Sequence, residues 1–405
     1  MANKQTIEHL HELQALPLNL KVRMTKQRIH EWVDYYGTDG VYVSFSGGKD
    51  STVLLHIVRE MYGDKIPAVF CNTGLEYPEI VEFVKTFPNV VIVKPKMTFR
   101  EVTEKYGYPI FSKEVCETVY GARKYLTALA ERGSLDRQTD RQTDRQTDSS
   151  NTGSVQRTSS ESQEVSKTSD EDPGVVSMDE LKHGTMPEPI RIQMLNGTFL
   201  DKSGKKSRYN KIKYRFMLDA PFWISNKCCN VMKKTPMHKY SKETGRFPIT
   251  AQMAAESMVR TQKWLINGCN AFDVTQPISN PMSFWFEQDV LLYIKEHNLP
   301  MASVYGEIVV DTKSGGQING QMSLSDMGIF DLERPTLTTT GCERTGCMFC
   351  LFGIAQEKEP NRLQKLHESH PKVYNYLMRP ESEGGMGYKD KIDWINEHGG
   401  FHIKY

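Results

Sequence analysis

Val41-Tyr42-Val43-Ser44-Phe45-Ser46-Gly47-Gly48-Lys49-Asp50-Ser51 decides the fold. The first five residues are a β-prone run, and the two glycines lead into an amphipathic helical pattern over residues 52–62. A strand that passes through Ser46-Gly47-Gly48 into a helix presents backbone N–H groups that no intrahelical partner satisfies, and such a terminus attracts anions. Gly47 and Gly48 let the backbone approach a phosphate without a Cβ in the way. Lys49 adds a point charge, and Asp50 and Ser51 can cap the helix or hold a phosphate-bound Mg²⁺. The spacing is not that of the Walker loop.

Outward from this loop, residues 68–71 and 90–93 are further short β-prone runs, with helical periodicity at 22–36 and 78–87. The resulting β-α-β-α-β order predicts an α/β fold, a doubly wound parallel sheet with helices on both faces. Ligands of such sheets bind at the carboxyl ends of strands. Asn72-Thr73-Gly74 and Glu79 come after the second strand, and Lys94-Pro95-Lys96 ends the third, where Lys96 meets a second phosphate or sulfate or is simply a solvated edge residue.

Beyond a helical stretch at 113–132 the chemistry changes. Arg-Gln-Thr-Asp repeats three times from Arg137 to Asp148, and Ser, Thr, Glu and Asp dominate from there to about Pro173. Residues 134–174 hold too few apolar groups to offset their ordering entropy and read as a disordered, low-complexity insertion. Order is expected to resume in a strand-rich connector at 189–210, with turns at Asn196-Gly197 and Ser203-Gly204, and then in helices at 251–266, 287–297 and 371–378. The organisation expected is 1–133 as the first part of a nucleotide-binding domain, 134–174 as the insertion, 175–300 as the rest of that domain, and 301–405 as a smaller, mixed, cysteine-bearing region.

With 405 residues, a quarter of them charged, and a formal net charge of +1, the chain is globular in composition and has no global pull toward nucleic acid or membrane. It contains no apolar run of membrane-spanning length and no signal-peptide layout at Met1, so a cytoplasmic location is expected. Eight cysteines are too few for a disulfide framework in so long a chain. Cys228-Cys229 and Cys347-Met348-Phe349-Cys350 supply two close pairs of soft ligands, suited to an iron–sulfur cluster, to structural zinc, or to neither. Cys71, Cys116 and Cys269 read as ordinary buried residues, and Cys342 as a spare thiol.

Taken together, Ser46-Gly47-Gly48-Lys49-Asp50-Ser51 resembles the PP-loop of the adenine nucleotide α-hydrolase-like superfamily, and the chain resembles its phosphoadenosine phosphosulfate (PAPS) reductase family. Thr73-Gly74 with Pro78-Glu79 is similar to the family's element that closes over the adenosine. Glu256 and Arg260, four apart on one predicted helix face, resemble its Glu-Ser-x-x-Arg segment, although a surface ion pair explains the same spacing. The Cys-Cys pair with a distant C-x-x-C resembles the 4Fe-4S ligand set of assimilatory adenylylsulfate reductases.

The resemblance implies nucleotide contacts from Ser46 to Ser51, Asn72, Thr73, Gly74, Glu79, Lys96 and Arg260. It also implies a cluster, or zinc, on Cys228, Cys229, Cys347 and Cys350, with Lys233 and Lys234 close by. The family's thioredoxin-coupled reductases use a cysteine near the C-terminus, whereas this chain has none after Cys350. Cys342 is then the candidate nucleophile, with Lys49 and Asp50 as the other catalytic groups. An ATP-dependent, Mg²⁺-using sulfurtransferase acting on nucleic acid, and a non-catalytic nucleotide-binding regulator, are the alternative readings.

Overall fold

The computed structural model describes residues 5–146, 189–311 and 336–405. The chain divides into two compact units, one of residues 1–102 with 227–350 and the other of residues 103–226 with 351–405. These are not the boundaries expected from the sequence. The segment from Cys342 to Cys350 belongs with the phosphate loop in the first unit, and of the region expected at 301–405 only the part beyond Cys350 belongs to the second.

The first unit is built on a six-stranded sheet. Its spatial order is β3 (Val90–Val93), β2 (Ala68–Cys71), β1 (Val41–Ser44), then Phe247–Ile249, Ile278–Ser279 and Asn270–Ala271. Every neighbouring pair is parallel except the last. Val43 lies between Ala68 on one side and Ile249 on the other, which places β1 in the middle. The chain winds outward from β1 to β3 and later resumes on the opposite side of β1. The winding direction therefore reverses at the carboxyl end of β1, where the Ser46 loop begins, and this switch point is where such sheets bind ligands.

Helices α1 (Ile7–Gln14), α2 (Leu18–Tyr36), α3 (Lys49–Tyr62) and α4 (Pro78–Lys85) flank the sheet. Val53, Leu54, Leu55, Ile57 and Val58 of α3 are fully buried and share one core with Ile29 and Trp32 of α2 and with Val290, Tyr293 and Ile294 of the helix Glu287–Glu296. The α/β reading, the first three strands and the helices after them stand as predicted. The helix expected at 251–266 is broken: Ser257 adopts an extended backbone, its side chain accepts from the amide of Arg260, and the helix starts at Met258. A capping serine outcompetes the continuous period.

In the second unit, Ile110–Phe111 pairs in parallel with Leu351–Phe352, joining the middle of the chain to its last segment. The connector expected to be strand-rich begins instead with a helix, Ile190–Asn196, that buries Ile192 and Leu195 and stops at Gly197 in the left-handed region. Asn196-Gly197 is thus a helix end, while the Ser203-Gly204 turn closes a small hairpin bridged by Leu200 and Lys206. The helix Lys113–Gln146 runs into the expected insertion, because extending a formed helix avoids the cost of nucleating one. Residues 147–174 of that insertion lie outside the described residues.

Candidate functional site

Gly47 has a φ of +70°, and a Cβ there would stand 2.8 Å from Val84 and 2.9 Å from Ile80 of α4, so the turn needs glycine for both conformation and space. The hydroxyls organise the loop. Ser51 Oγ accepts from the amide of Ser46 at 3.2 Å and lies 3.0 Å from the carbonyl of Gly48, to which it donates, and Ser46 Oγ accepts from the amide of Gly48 at 3.3 Å. Gly48 is the N-cap of α3 and brings no side chain to its first turn. Loop and helix dipole together present an electropositive end of the kind that suits an anion.

Charge converges on this end. Buried Lys49 lies 2.7 Å from Glu287 Oε1, with its ammonium 5.4 Å from the centre of the Tyr305 ring. Arg344 reaches the other Glu287 oxygen at 3.8 Å, and Arg260 pairs with Glu256. Burial, then the neighbouring Glu287, push Asp50 up to about 6, against the opposing pull of Lys49, Arg344 and Arg260. Three cations, Lys49, Arg344 and Arg260, thus stand with three carboxylates, Asp50, Glu256 and Glu287, beside the loop.

The segment after Cys342 covers it. Tyr305 and Thr345 are hydrogen-bonded through their hydroxyls, and a Cβ on Gly48 would lie 3.3 Å from the tyrosine oxygen and 3.9 Å from Thr345 Oγ1. Burial pushes Tyr305 up to about 12, and Cys342 is among the groups whose charge it feels, which puts that thiol in the same neighbourhood.

At the end of β2, Asn72 Oδ1 accepts from the amide of Gly74 at 3.0 Å, and Thr73 donates from both its amide and its hydroxyl to Glu76, each at 2.9 Å. Thr73 therefore fixes Glu76 rather than facing outward. Glu79 occupies the first turn of α4, half-buried. Lys94 and Lys96 are exposed at the end of β3 and are not among the residues that line the loop's cavity.

That cavity, of about 150 Å³, lies between the loop and the cysteines and is lined by Ser46, Cys71, Glu76, Lys233, Thr345 and Gly346 among others. The amide of Met348, inside the C-x-x-C, donates to the carbonyl of Leu75 at 2.9 Å and docks the cysteine segment on the β2 loop. Cys228 is pushed up by its hydrogen bond with Cys229 and by burial, and further by Cys350 and Cys347. Burial raises Cys347 to about 11, with Lys233 opposing and Glu76 and Cys350 adding to the rise. Burial would lower Lys233, but Cys347 and Glu76 reverse the sign.

The four thiols expected as ligands thus share one electrostatic neighbourhood, and as a soft donor set they fit an iron–sulfur cluster or zinc. Among the described residues, however, no three His, Cys, Asp or Glu side chains stand at metal-holding separation. Cys116 and Cys269 are buried, as expected. Cys71 is not an isolated core residue: its thiol donates to the carbonyl of Met232 at 3.2 Å, and burial, then Glu76, raise it to about 11.

Sequence reasoning missed Cys71, Glu76, Glu287, Tyr305, Arg344 and Thr345. A cation between two cysteines, Arg344, and an acid opening a helix, Glu287, were the available signals. Among the described residues no helix is long and apolar enough to cross a membrane.

A family model described as the phosphoadenosine phosphosulfate reductase domain matches residues 40–161 and 198–351. An uncharacterized protein of Methanocaldococcus jannaschii is 31% identical over 122 residues, covering 29% of this chain and 27% of the relative. A second from the same organism is 36% identical over 83 residues, 20% of this chain and 17% of the relative. The chain thus spans about a quarter or less of the curated relatives it matches. The crystal structure of the PAPS reductase of Candida auris, a phosphate complex, aligns over 75% of this chain and 92% of that one at 12% identity, with a TM-score of 0.31.

Proposed function

Because the chain belongs to the phosphoadenosine phosphosulfate reductase family, we propose that it reduces adenylylsulfate, or its 3′-phosphorylated form, at the loop from Ser46 to Ser51. The family itself supports nucleotide binding and a role in sulfur metabolism. The observation that carries the finer reading is the docking of the Cys342 segment beside Tyr305: the amides of Gly341 and Cys342 donate to the carbonyls of Tyr305 and Val304, each at 2.9 Å, while the Tyr305 ring carries the Lys49 ammonium and its hydroxyl overhangs Gly48. A thiol beside a phosphate loop can reach a sulfur atom attached to that phosphate.

In this reading Cys342, as thiolate, attacks the sulfur of the sulfonucleotide. An S–S bond forms, the sulfur–oxygen bond to phosphate breaks, and the nucleoside phosphate leaves with the electron pair, its growing charge met by Lys49, Arg344 and the loop amides. A thioredoxin-like dithiol then attacks Cys342 Sγ; sulfite departs, and the mixed disulfide resolves to free Cys342 and an oxidised reductant. Cys228, Cys229, Cys347 and Cys350 would hold an iron–sulfur cluster, which when bound supplies electron-transfer or sulfur-delivery chemistry next to the cavity. Lys233, placed between Glu76 and Cys347, carries positive charge to the cavity wall.

Asp50 and Glu287 beside the loop favour a second reading, since two carboxylates next to a phosphate site suit the Mg²⁺ of a triphosphate. The chain would then be an ATP-dependent sulfurtransferase that adenylates its acceptor. The deciding measurement is sulfite release from both sulfonucleotides by anaerobically purified protein with thioredoxin, alongside iron, zinc and acid-labile sulfide content. Sulfite that disappears in Cys342→Ser while nucleotide binding persists supports the reductase. Undiminished sulfite in Cys342→Ser removes that thiol from the reaction. Pyrophosphate from ATP without any sulfite overturns the reductase in favour of sulfur transfer, and bound nucleotide with neither product leaves a non-catalytic regulator.

A further inference from the structure

The stretch from Lys202 to Arg215 places Lys202, Lys205, Lys206, Arg208, Lys211, Lys213 and Arg215 in fourteen residues with no carboxylate, in a chain whose formal net charge is only +1. It lies in the second unit and has a definite shape. The amide of Asp201 donates to the carbonyl of Lys205 at 2.8 Å, Leu200 bridges Lys206, and a 3₁₀ turn runs from Ile212 to Leu218. The Asp201 carboxylate is engaged by the amides of Ser203 and Lys205, at 2.8 and 3.1 Å, and so builds the turn.

Of the seven cations only Lys211 is buried, and it pairs with Glu114 at 2.6 Å. The other six are exposed, and among the described residues none is ion-paired with a carboxylate. One exposed aromatic ring, Tyr209, stands among them. Tyr209 is 47% exposed, with the Arg208 guanidinium 5.1 Å from its ring centre, and Lys213 lies 4.3 Å from the centre of Phe401.

Six exposed like charges within fourteen residues repel one another, so the stretch fits a polyanion. Within that class, an exposed tyrosine face flanked by a guanidinium is a platform on which a nucleobase stacks while lysines track the phosphates. A lipid surface would instead call for a continuous apolar face, and the side chains exposed here, Leu200 and Ile212, are separated along the strip. We propose that this basic and aromatic strip binds single-stranded nucleic acid, with Lys202, Lys205, Lys206, Arg208, Lys213 and Arg215 meeting phosphates and Tyr209 stacking on a base. The inference is independent of which reaction the phosphate loop performs.

The test is fluorescence anisotropy of a labelled single-stranded oligonucleotide with the full chain over a KCl series. Binding is expected to weaken with salt at a log–log slope of roughly −0.7 per phosphate engaged. The triple reversal Lys205→Glu, Lys206→Glu, Arg208→Glu is expected to lower affinity more than tenfold and flatten the slope. Tyr209→Ala is expected to lose about tenfold with the slope unchanged. The same charge change placed elsewhere on the second unit, Lys358→Glu, Lys365→Glu, Lys372→Glu, should leave binding intact, as should Lys49→Ala, which separates this strip from the phosphate loop. Circular dichroism and melting curves verify that each variant is folded. Absence of oligonucleotide binding at low salt, wild-type affinity in the folded triple variant, or binding of phosphatidylserine vesicles in place of the oligonucleotide would each overturn the proposal.

Discussion

Asp50 sits where burial and a neighbouring carboxylate both oppose its ionisation, and this has a measurable sign. A carboxyl group raised to about 6 in the folded chain binds protons there that the unfolded chain has already released. Its contribution is therefore favourable below the unfolded value near 4 and is lost as pH rises toward 6. Asp50→Asn should stabilise the nucleotide-free protein at pH 7 by an amount on the order of 1–3 kcal/mol, and the gain should vanish below about pH 4; melting temperatures of both proteins across pH 4–8 would reveal it. An unchanged difference across that range would mean that Asp50 is ionised freely. Residue by residue, the loop from Ser46 to Ser51 was legible because glycine, lysine and a small hydroxyl carry their local roles in their own chemistry. Cys71, Glu76 and Glu287 were not, because each matters through what the folded chain sets beside it.

At the level of elements, the helix Glu287–Glu296 was visible from its period, but not what it is for. Its first turn is tied to α2: Lys21 reaches Asp289 at 2.6 Å, the same Asp289 oxygen accepts from the amide of Phe286 at 2.7 Å, and Trp285 donates to Thr25 at 2.9 Å. That anchorage positions Glu287 against Lys49. Lys21 is nearly fully buried, and burial lowers its affinity for a proton, so removing it strands Asp289. Lys21→Met should cost about 3–5 kcal/mol in urea denaturation, and adding Asp289→Leu should recover much of it. The broken helix at Ser257 marks the limit of periodic reading, since one hydroxyl and an extended backbone override the apolar spacing around them.

Across the whole chain, the parallel order of the first three strands emerged from β-α-β-α-β alone, whereas Phe247–Ile249, Asn270–Ala271 and Ile278–Ser279 are too short for any period to register. The two-unit division was equally hidden, because it rests on a pairing between Ile110–Phe111 and Leu351–Phe352, some 240 residues apart. The composition of residues 147–174 predicts that their replacement by a short Gly-Ser linker leaves the melting temperature within roughly 2 °C, the shift of about 1 kcal/mol or less, and leaves nucleotide protection unchanged; a larger loss would give the segment a structural role. The sheet order also sets a timetable for biosynthesis. During translation β1 has β2 on one flank, while its other neighbour, Phe247–Ile249, is encoded roughly 200 codons later. At about 5–20 residues per second the nascent chain carries an open central strand for ten seconds or more, and that interval is when a ribosome-associated chaperone would matter most to it.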